Sequence, residues 1–557
     1  MEARSQFGVK LLPSLADFAF LMPIVFLFGR MDGVKTLLSD CDTGWHIRTG
    51  EWILANGWVP TRDMFSFSKP GAPWYAWEWL SEILFARLNA IGGLQAVVMF
   101  TILLISVTFM CLFLLIRRKA NPIVAIAVTM LAAAASSIHW LARPHLFTLF
   151  FLVLFYAALE QVREGRTRIL GVPVLAALPV ITILWTNLHG GFFVGTLMIM
   201  AYGGGEILRL LFSASAEDRG PALLRARAYF LSALACLAAS LVNPYTYHLH
   251  VHMAQYLRDP WNSQHIMEFL SPSFHHPTAI FFELMLVMAV ITSVSNVRNG
   301  QFTEALLMLV WAHGGLLAAR NIPIFMIAAA PPVAACIQEW LLRLPESSVA
   351  GWLRSAADRF NRVAEETGQT DSIARLHLVS ALGILLVAAI VFAPHPPKKF
   401  RAEFDPKSYP AAALATLRSD PSAHVFTHDE WGDYLIYSLS KTHKVFVDGR
   451  SDFYGDDFEE KYVDVLNVKY GWQKTLARFG VDTILMPPNA PLTGVLKESS
   501  NWRVVYDDGI SLVFRSQQKT GGAQVSAANI GGGEGRDRKV TKTEASDHAI
   551  TETKPKT

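Results

Sequence analysis

Apolar residues along this chain gather into long runs separated by short polar stretches. A bilayer core needs about 20 mainly apolar helical residues. On that measure the runs predict spans near 14–32, 94–116, 121–139, 144–161, 170–187, 190–212, 226–242, 278–296, 303–320, 322–341 and 375–393, about eleven in all. The pair on either side of Asn187 is the least sharply divided. No small-residue cleavage site follows the first run, so it reads as a retained helix.

Every second connection is basic. Arg117, Arg118 and Lys119 form one such loop, Arg163, Arg166 and Arg168 the next, and Arg209, Arg219, Arg225 and Arg227 a third. Arg343, Arg354, Arg359, Arg362 and Arg375 fall in 343–375, whose spacing suits a helix lying along the inner surface. Basic loops stay cytoplasmic, which puts the N-terminus inside and the loops at 40–90, 139–145, 187–189, 243–277 and 320–321 outside. An odd number of spans also puts the chain beyond the last one outside. The expected address is a bacterial inner membrane, crossed many times.

The chain therefore divides into a transmembrane domain at 1–395, an extracytoplasmic domain at 404–515 and a tail at 516–557. The first outer loop, 39–92, carries amphipathic helices. In the outer domain, strands are predicted at Val425–Phe426, Lys444–Val447, Thr483–Met486, Arg503–Tyr506 and Ser511–Phe514, with a helix over 456–479. Asp507-Asp508-Gly509 marks a hairpin, so a small α/β fold is expected there. From Gln517 onward Gly, Ser, Thr, Lys and Glu dominate without apolar periodicity, the composition of a disordered tail.

Composition agrees with membrane residence: 52% of the 557 residues are hydrophobic and 17% are charged, so lipid is the main solvent. A net charge of +3, spread in small clusters, forms no continuous basic face and excludes nucleic acid as a partner. Cys41, Cys111, Cys236 and Cys336 show neither a disulfide framework nor metal spacing. The outer domain has no P-loop, dinucleotide or nucleophile motif.

Candidate chemistry lies on the outer side. Asp40 and Asp42 stand at the water boundary after the first span, and a helix begins there, which Asp42 also suits as a cap. Trp74, Tyr75, Trp77 and Trp79 suit the headgroup layer, and Glu78 and Glu82 share one helical face. His139, Arg143, His145, Asn187, His189, Asn243, Tyr245, Arg320 and Asn321 all fall at span ends on this side. Polar groups at membrane depth are costly unless they pair or line water, so these are expected to share one wet cavity with Trp45 and Glu78. Asp40 and Asp42 suit a divalent cation or a proton. Arg48, Arg143 and Arg320, with His46, His145 and His189, suit an anionic phosphate. Sugar transfer from a phosphate-linked lipid needs both, a base for the acceptor and cations for the departing phosphate.

The acid after the first span, the helix from Trp45 to Leu54, the run Asn56-Gly57-Trp58-Val59-Pro60 and the aromatic stretch ending near Leu80 together resemble the GT-C superfamily of membrane glycosyltransferases. That superfamily includes oligosaccharyltransferases, protein mannosyltransferases and aminoarabinose transferases. The resemblance implies a catalytic or metal-binding acid at Asp42 first and Asp40 second, with Mg²⁺ or Mn²⁺ as the cation. It also implies a polyprenyl-phosphate sugar donor, reaction at the outer leaflet, inversion at the sugar carbon, and a glycan, lipid or protein acceptor. The segment His424–Tyr437, followed by Val445–Arg450, is similar to the start of the outer domain in some of these enzymes, which assigns Trp431, Asp433, Asp448 and Arg450 to the acceptor side. Trp431-Gly432-Asp433-Tyr434 departs from the oligosaccharyltransferase acceptor motif in lacking paired tryptophans and a glycine after the tyrosine. An internal ion-pair network is the alternative for Asp448, Arg450, Asp452 and Tyr454. Two other readings stay open for the whole chain: a transporter or lipid-headgroup-binding protein without chemistry, and a degenerate relative kept as an assembly subunit.

Overall fold

A bilayer core offers no water to unpaired backbone groups, so apolar runs of this length must become helices. The computed structural model describes residues 10–517 apart from 170, 213, 214, 216 and 374. The tail expected from 516 onward lies outside the described residues beyond Gln517. Among those residues seven helices are long and apolar enough to cross a membrane: Trp79–Ile116, Pro122–His139, His145–Arg163, Gly190–Phe212, Arg219–Ala239, Ala279–Arg298 and Ala319–Glu346. Leu15–Gly29, Val174–Leu188, Phe302–Leu317 and Leu378–Val391 are shorter apolar helices at the remaining predicted runs.

Local sequence starts these elements. Ser14 and Asp17 form a reciprocal capping box on Leu15–Gly29, and Asp17 also accepts from the Ser380 hydroxyl at 2.5 Å, which ties the first apolar helix to the last. The Asn121 side chain accepts from the amides of Ile123 and Val124, and Pro122 occupies the first helical turn where no amide is needed. Far from the outer loops, Glu160 bonds Lys119, Arg163 and Tyr202, and Arg163 reaches Glu304 at 2.8 Å. Charged groups at these helix ends are thus satisfied by one another.

The helix expected from 94 follows a break at Gly92–Gly93, where Gly93 adopts φ 64°, and another helical stretch runs from Trp79 up to that break. The stretch before the break has Glu78 at its N-terminal boundary. Against it packs Asp42–Asn56, which ends at Gly57 in the left-handed region (φ 79°). The two helices meet at Gly50, where a Cβ would strike the Glu82 carbonyl.

Residues 404–517 hold a four-stranded sheet. Its strands are β1 (Val425–Thr427), β2 (Thr483–Met486), β3 (Trp502–Asp507) and β4 (Leu512–Ser516), in the order β1-β2-β4-β3. β1 runs parallel to β2, and the other pairs are antiparallel, with Ile484 opposite Phe514. β1 and β2 are buried throughout, which explains why they read as unbroken apolar runs.

Two expectations change. Lys444–Val447 is no strand of the sheet: Val445 makes single bridges to Val425 and to Ser66, because its backbone groups bond Phe65 and Phe67 of the first outer loop. The helix over 456–479 is two, Asp456–Leu466 and Trp472–Arg478, separated by positive φ at Val468 (57°) and Gly471 (90°). The stretch 343–375 contains the helix Gly351–Asp371, of which only Ala357 and Ala364, two turns apart, are buried.

Candidate active site

Short turns between helices carry polar side chains into one cavity of about 950 Å³. Asp42 enters it from the first turn of Asp42–Asn56. Arg143 enters from the turn before His145–Arg163, which is pinned to the first outer loop by Ala142 N–H donating to Leu37 (2.8 Å) and by Thr43 Oγ1 donating to the Ala142 carbonyl (2.9 Å). Glu268 stands on the single turn Met267–Phe269 and Arg320 on Ala319–Asn321.

These four groups, from distant parts of the chain, form one alternating row. Arg143 Nη1 lies 3.0 Å from Asp40 and 3.5 Å from Glu268, and its Nη2 lies 2.8 Å from Asp42. Glu268 then reaches Arg320 at 3.1 Å and His139 at 3.7 Å. Burial alone would raise Glu268, yet Arg320 and Arg143 hold its carboxyl down at about 2. Asp42 goes the other way: burial outweighs Arg143, and Asp40 adds repulsion, so its carboxyl is pushed up to about 7.

Asp42 has a second acid beside it. A Cβ at Gly449 would lie 2.6 Å from Asp42 Oδ1 and 2.7 Å from Asp433 Oδ2, so both carboxylates close on that glycine. Burial first and Asp42 second push Asp433 well above the usual carboxylate range. Burial and their mutual repulsion thus raise both carboxyls.

Behind this row lies a neutral layer. His189 Nδ1 accepts from the Gly191 amide at 2.9 Å, so its proton sits on Nε2, which faces Glu78 at 3.2 Å. Thr148 contacts the same Nδ1 at 2.7 Å and accepts from Trp185 Nε1 at 3.0 Å. Burial, then Arg320 and Arg143, lower His189 to about 3, and burial drives His46 well below its ordinary value. Burial also raises Glu78 to about 8. Burial thus works against an ion pair at the 3.5 Å approach of His46 to Glu78, and His46 lies equally close to Glu82.

Of the residues picked out from the sequence, Asp42, Trp45, His46, Glu78 and His139 line the cavity. So do Arg143, His145, His189, Arg320 and Asn321. Asp40 sits just outside the lining, across Arg143. Arg48 is a correction: it turns to the Tyr437 carbonyl and to Glu51 and does not line the cavity. Asn187, Asn243 and Tyr245 are corrections too. Asn187 accepts from Trp79 Nε1 (2.7 Å) and Asn243 donates to the Ser240 carbonyl (2.8 Å). Tyr245 donates to the Pro60 carbonyl (2.7 Å) and accepts from the Ala76 amide (2.8 Å), which fixes the first outer loop.

Among residues 404–517, Trp431 donates to the Ser408 carbonyl (2.9 Å) and does not line the cavity. Asp448 and Arg450 form an internal network: Arg450, 2% exposed, bonds Asp448 at 2.7 Å and Asp63 of the first outer loop at 2.8 Å, and Tyr454 donates to Asp448 at 2.8 Å. Arg450 also borders the cavity. Asp452 pairs separately with His252 at 2.9 Å. Sequence reasoning missed Glu268, Thr148 and Tyr256. Glu268 lies in a long polar loop where nothing in the spacing distinguishes it from its neighbours.

No protein-family model and no curated protein matches the sequence. Solved structures of the Archaeoglobus fulgidus oligosaccharyltransferase do match it. The apo form aligns at TM-score 0.51 and 10% identity over 85% of this chain and 69% of that one. The form tethered by a disulfide bond to an acceptor peptide containing the NVT sequon aligns at 0.52 and 10% over 90% and 74%. A complex with Zn and sulfate aligns at 0.50 and 10% over 85% and 68%. The chain has the oligosaccharyltransferase fold.

In this oligosaccharyltransferase fold, the residues at the expected metal position do not suit a divalent cation. Mg²⁺ and its relatives need about six oxygen ligands, partly from carboxylates. Among the described residues no three His, Cys, Asp or Glu side chains surround an open position for one: Asp40, Asp42 and Glu268 all turn to Arg143, which fills the space between them.

Proposed function

We propose that the protein is a glycosyltransferase that moves a hexosyl or pentosyl unit from a polyprenyl-phosphate donor to an extracytoplasmic acceptor, with inversion at the sugar carbon. In this reading the seven long and four shorter apolar helices all cross a bacterial inner membrane. The N-terminus is cytoplasmic and the sheet domain extracytoplasmic. The observation that carries the reading is the Asp42 carboxylate, held 2.8 Å from Arg143 in a cavity of an oligosaccharyltransferase fold. Leu149, Leu197, Leu257 and Leu317 give that cavity an apolar side suited to a lipid chain.

Asp42, deprotonated, takes the proton of the acceptor's attacking group. The acceptor's lone pair bonds to the sugar carbon as the bond from that carbon to the phosphate oxygen breaks. Arg143 and Arg320 face the charge that the departing lipid phosphate gains. Trp431 and Asp433 use their polar groups internally, on the Ser408 carbonyl and the Gly449 amide, which favours a glycan or lipid acceptor over a peptide.

The test is to incubate purified protein with a panel of polyprenyl-phosphate sugars and measure free polyprenyl phosphate. Release from one donor is expected, and release from none would overturn the reading. With that donor, the initial rate should climb as pH rises through about 7, because the raised Asp42 carboxyl must lose its proton to act as base. A profile flat between about pH 6 and 8 would remove Asp42 from that role.

A further inference from the structure

We infer that the Arg143 guanidinium is the resident cation of this site, standing where a divalent metal ion would otherwise be held, so that the protein binds and needs no metal there. The metal-independence part rests on the transferase reading above; the binding part does not.

Three carboxylates from two parts of the chain converge on this one side chain: Asp40 at 3.0 Å, Asp42 at 2.8 Å and Glu268 at 3.5 Å. Three acids around one point are what a hard cation seeks, and with nothing between them they would repel. Here the planar guanidinium separates them, using Nη2 for Asp42 and Nη1 for Asp40 and Glu268. Asp40 is fixed from the other side as well, since its Oδ1 accepts the Asp42 amide at 3.1 Å. An incoming ion would have to displace a permanently charged group from all three acids at once. A guanidinium does not lose its charge near neutral pH, so no ordinary condition vacates the place.

The position is also covalently anchored. Arg143 lies in the turn that Ala142 pins to Leu37 and Thr43, which holds its backbone beside the acids, while the three carboxylates hold its head. In a metal-loaded site the cation is exchangeable and chelators remove it. Here it belongs to the chain, and chelators have nothing to extract.

The experiment titrates Mn²⁺ into purified full-length protein and reads bound ion by electron paramagnetic resonance. Wild type is expected to show no ion whose binding depends on Asp42. Arg143→Ala removes the guanidinium and leaves the three acids facing one space, so it should bind one Mn²⁺ per chain, and Asp42→Asn added to it should abolish that binding. Wild-type binding that disappears in Asp42→Asn would overturn the inference, as would an Arg143→Ala protein that folds and binds nothing. Should Arg143→Ala fail to purify, Arg143→Gln keeps the bulk and removes the charge, and the same outcomes decide. Transfer by wild type should be unchanged by EDTA, and loss of transfer in EDTA restored by Mn²⁺ would also overturn it. Absence of transfer with every donor would sink the transferase reading and leave the Mn²⁺ result standing.

Discussion

Asp42→Asn is expected to cut sugar transfer by about 10²–10⁴-fold, the usual loss when a positioned base is removed. The amide has the same shape and still offers Arg143 an oxygen, so the row Asp40–Arg143–Glu268–Arg320 should persist. Only the ability to take a proton goes. Membrane insertion and melting in detergent should therefore match wild type, which separates loss of chemistry from loss of fold. Asp40→Asn should cost less, because Asp40 lies across Arg143 from the cavity and acts by placing the Asp42 amide and Arg143. Full transfer by Asp42→Asn would end its proposed role.

Arg450→Ala is expected to destabilise the protein by about 3–5 kcal/mol, the cost of leaving buried charges without their partner. Asp448 and Asp63 are fully buried and both face this guanidinium, which also stacks 4.5 Å above the Trp74 ring. Asp63 precedes the helix from Trp79 and Asp448 lies beside the sheet, so the network ties together two segments far apart in the chain. The variant should melt lower in detergent and become sensitive to protease across 404–517. Replacing all three together, with Met at 450 and Asn at 63 and 448, should recover much of the loss, since removing a whole buried network costs far less than breaking it. An unchanged melting temperature in Arg450→Ala would show that the network contributes little.

The apolar helices were legible because hydrocarbon imposes one rule on every residue it touches, and a run of suitable length has no other stable form. The sheet was partly legible for a related reason: β1 and β2 are apolar on both faces, and Gly509 turns the last hairpin at φ 77°. Val445 was misread because its apolar neighbours suit a strand, while its actual partners, Phe65 and Phe67, lie nearly 400 positions earlier. Arg48 shows a signal that was present and unused. Asp42 and His46, four residues apart, share a helical face, whereas Arg48, six residues on, is turned about 120° from Asp42, toward Tyr437. Glu268 had no such signal, because its importance consists only of standing between Arg143 and Arg320.

By itself the sequence determined the solvent, the approximate positions of the helices and which of their ends carry unusual polar groups, because each of these depends on neighbours within a few turns. The tertiary structure alone decided which of those groups meet. A charge at a helix end must find a partner, but covalent order does not say which, and the choice was made by the packing that set Arg143 among Asp40, Asp42 and Glu268 and turned Arg450 into a buried link.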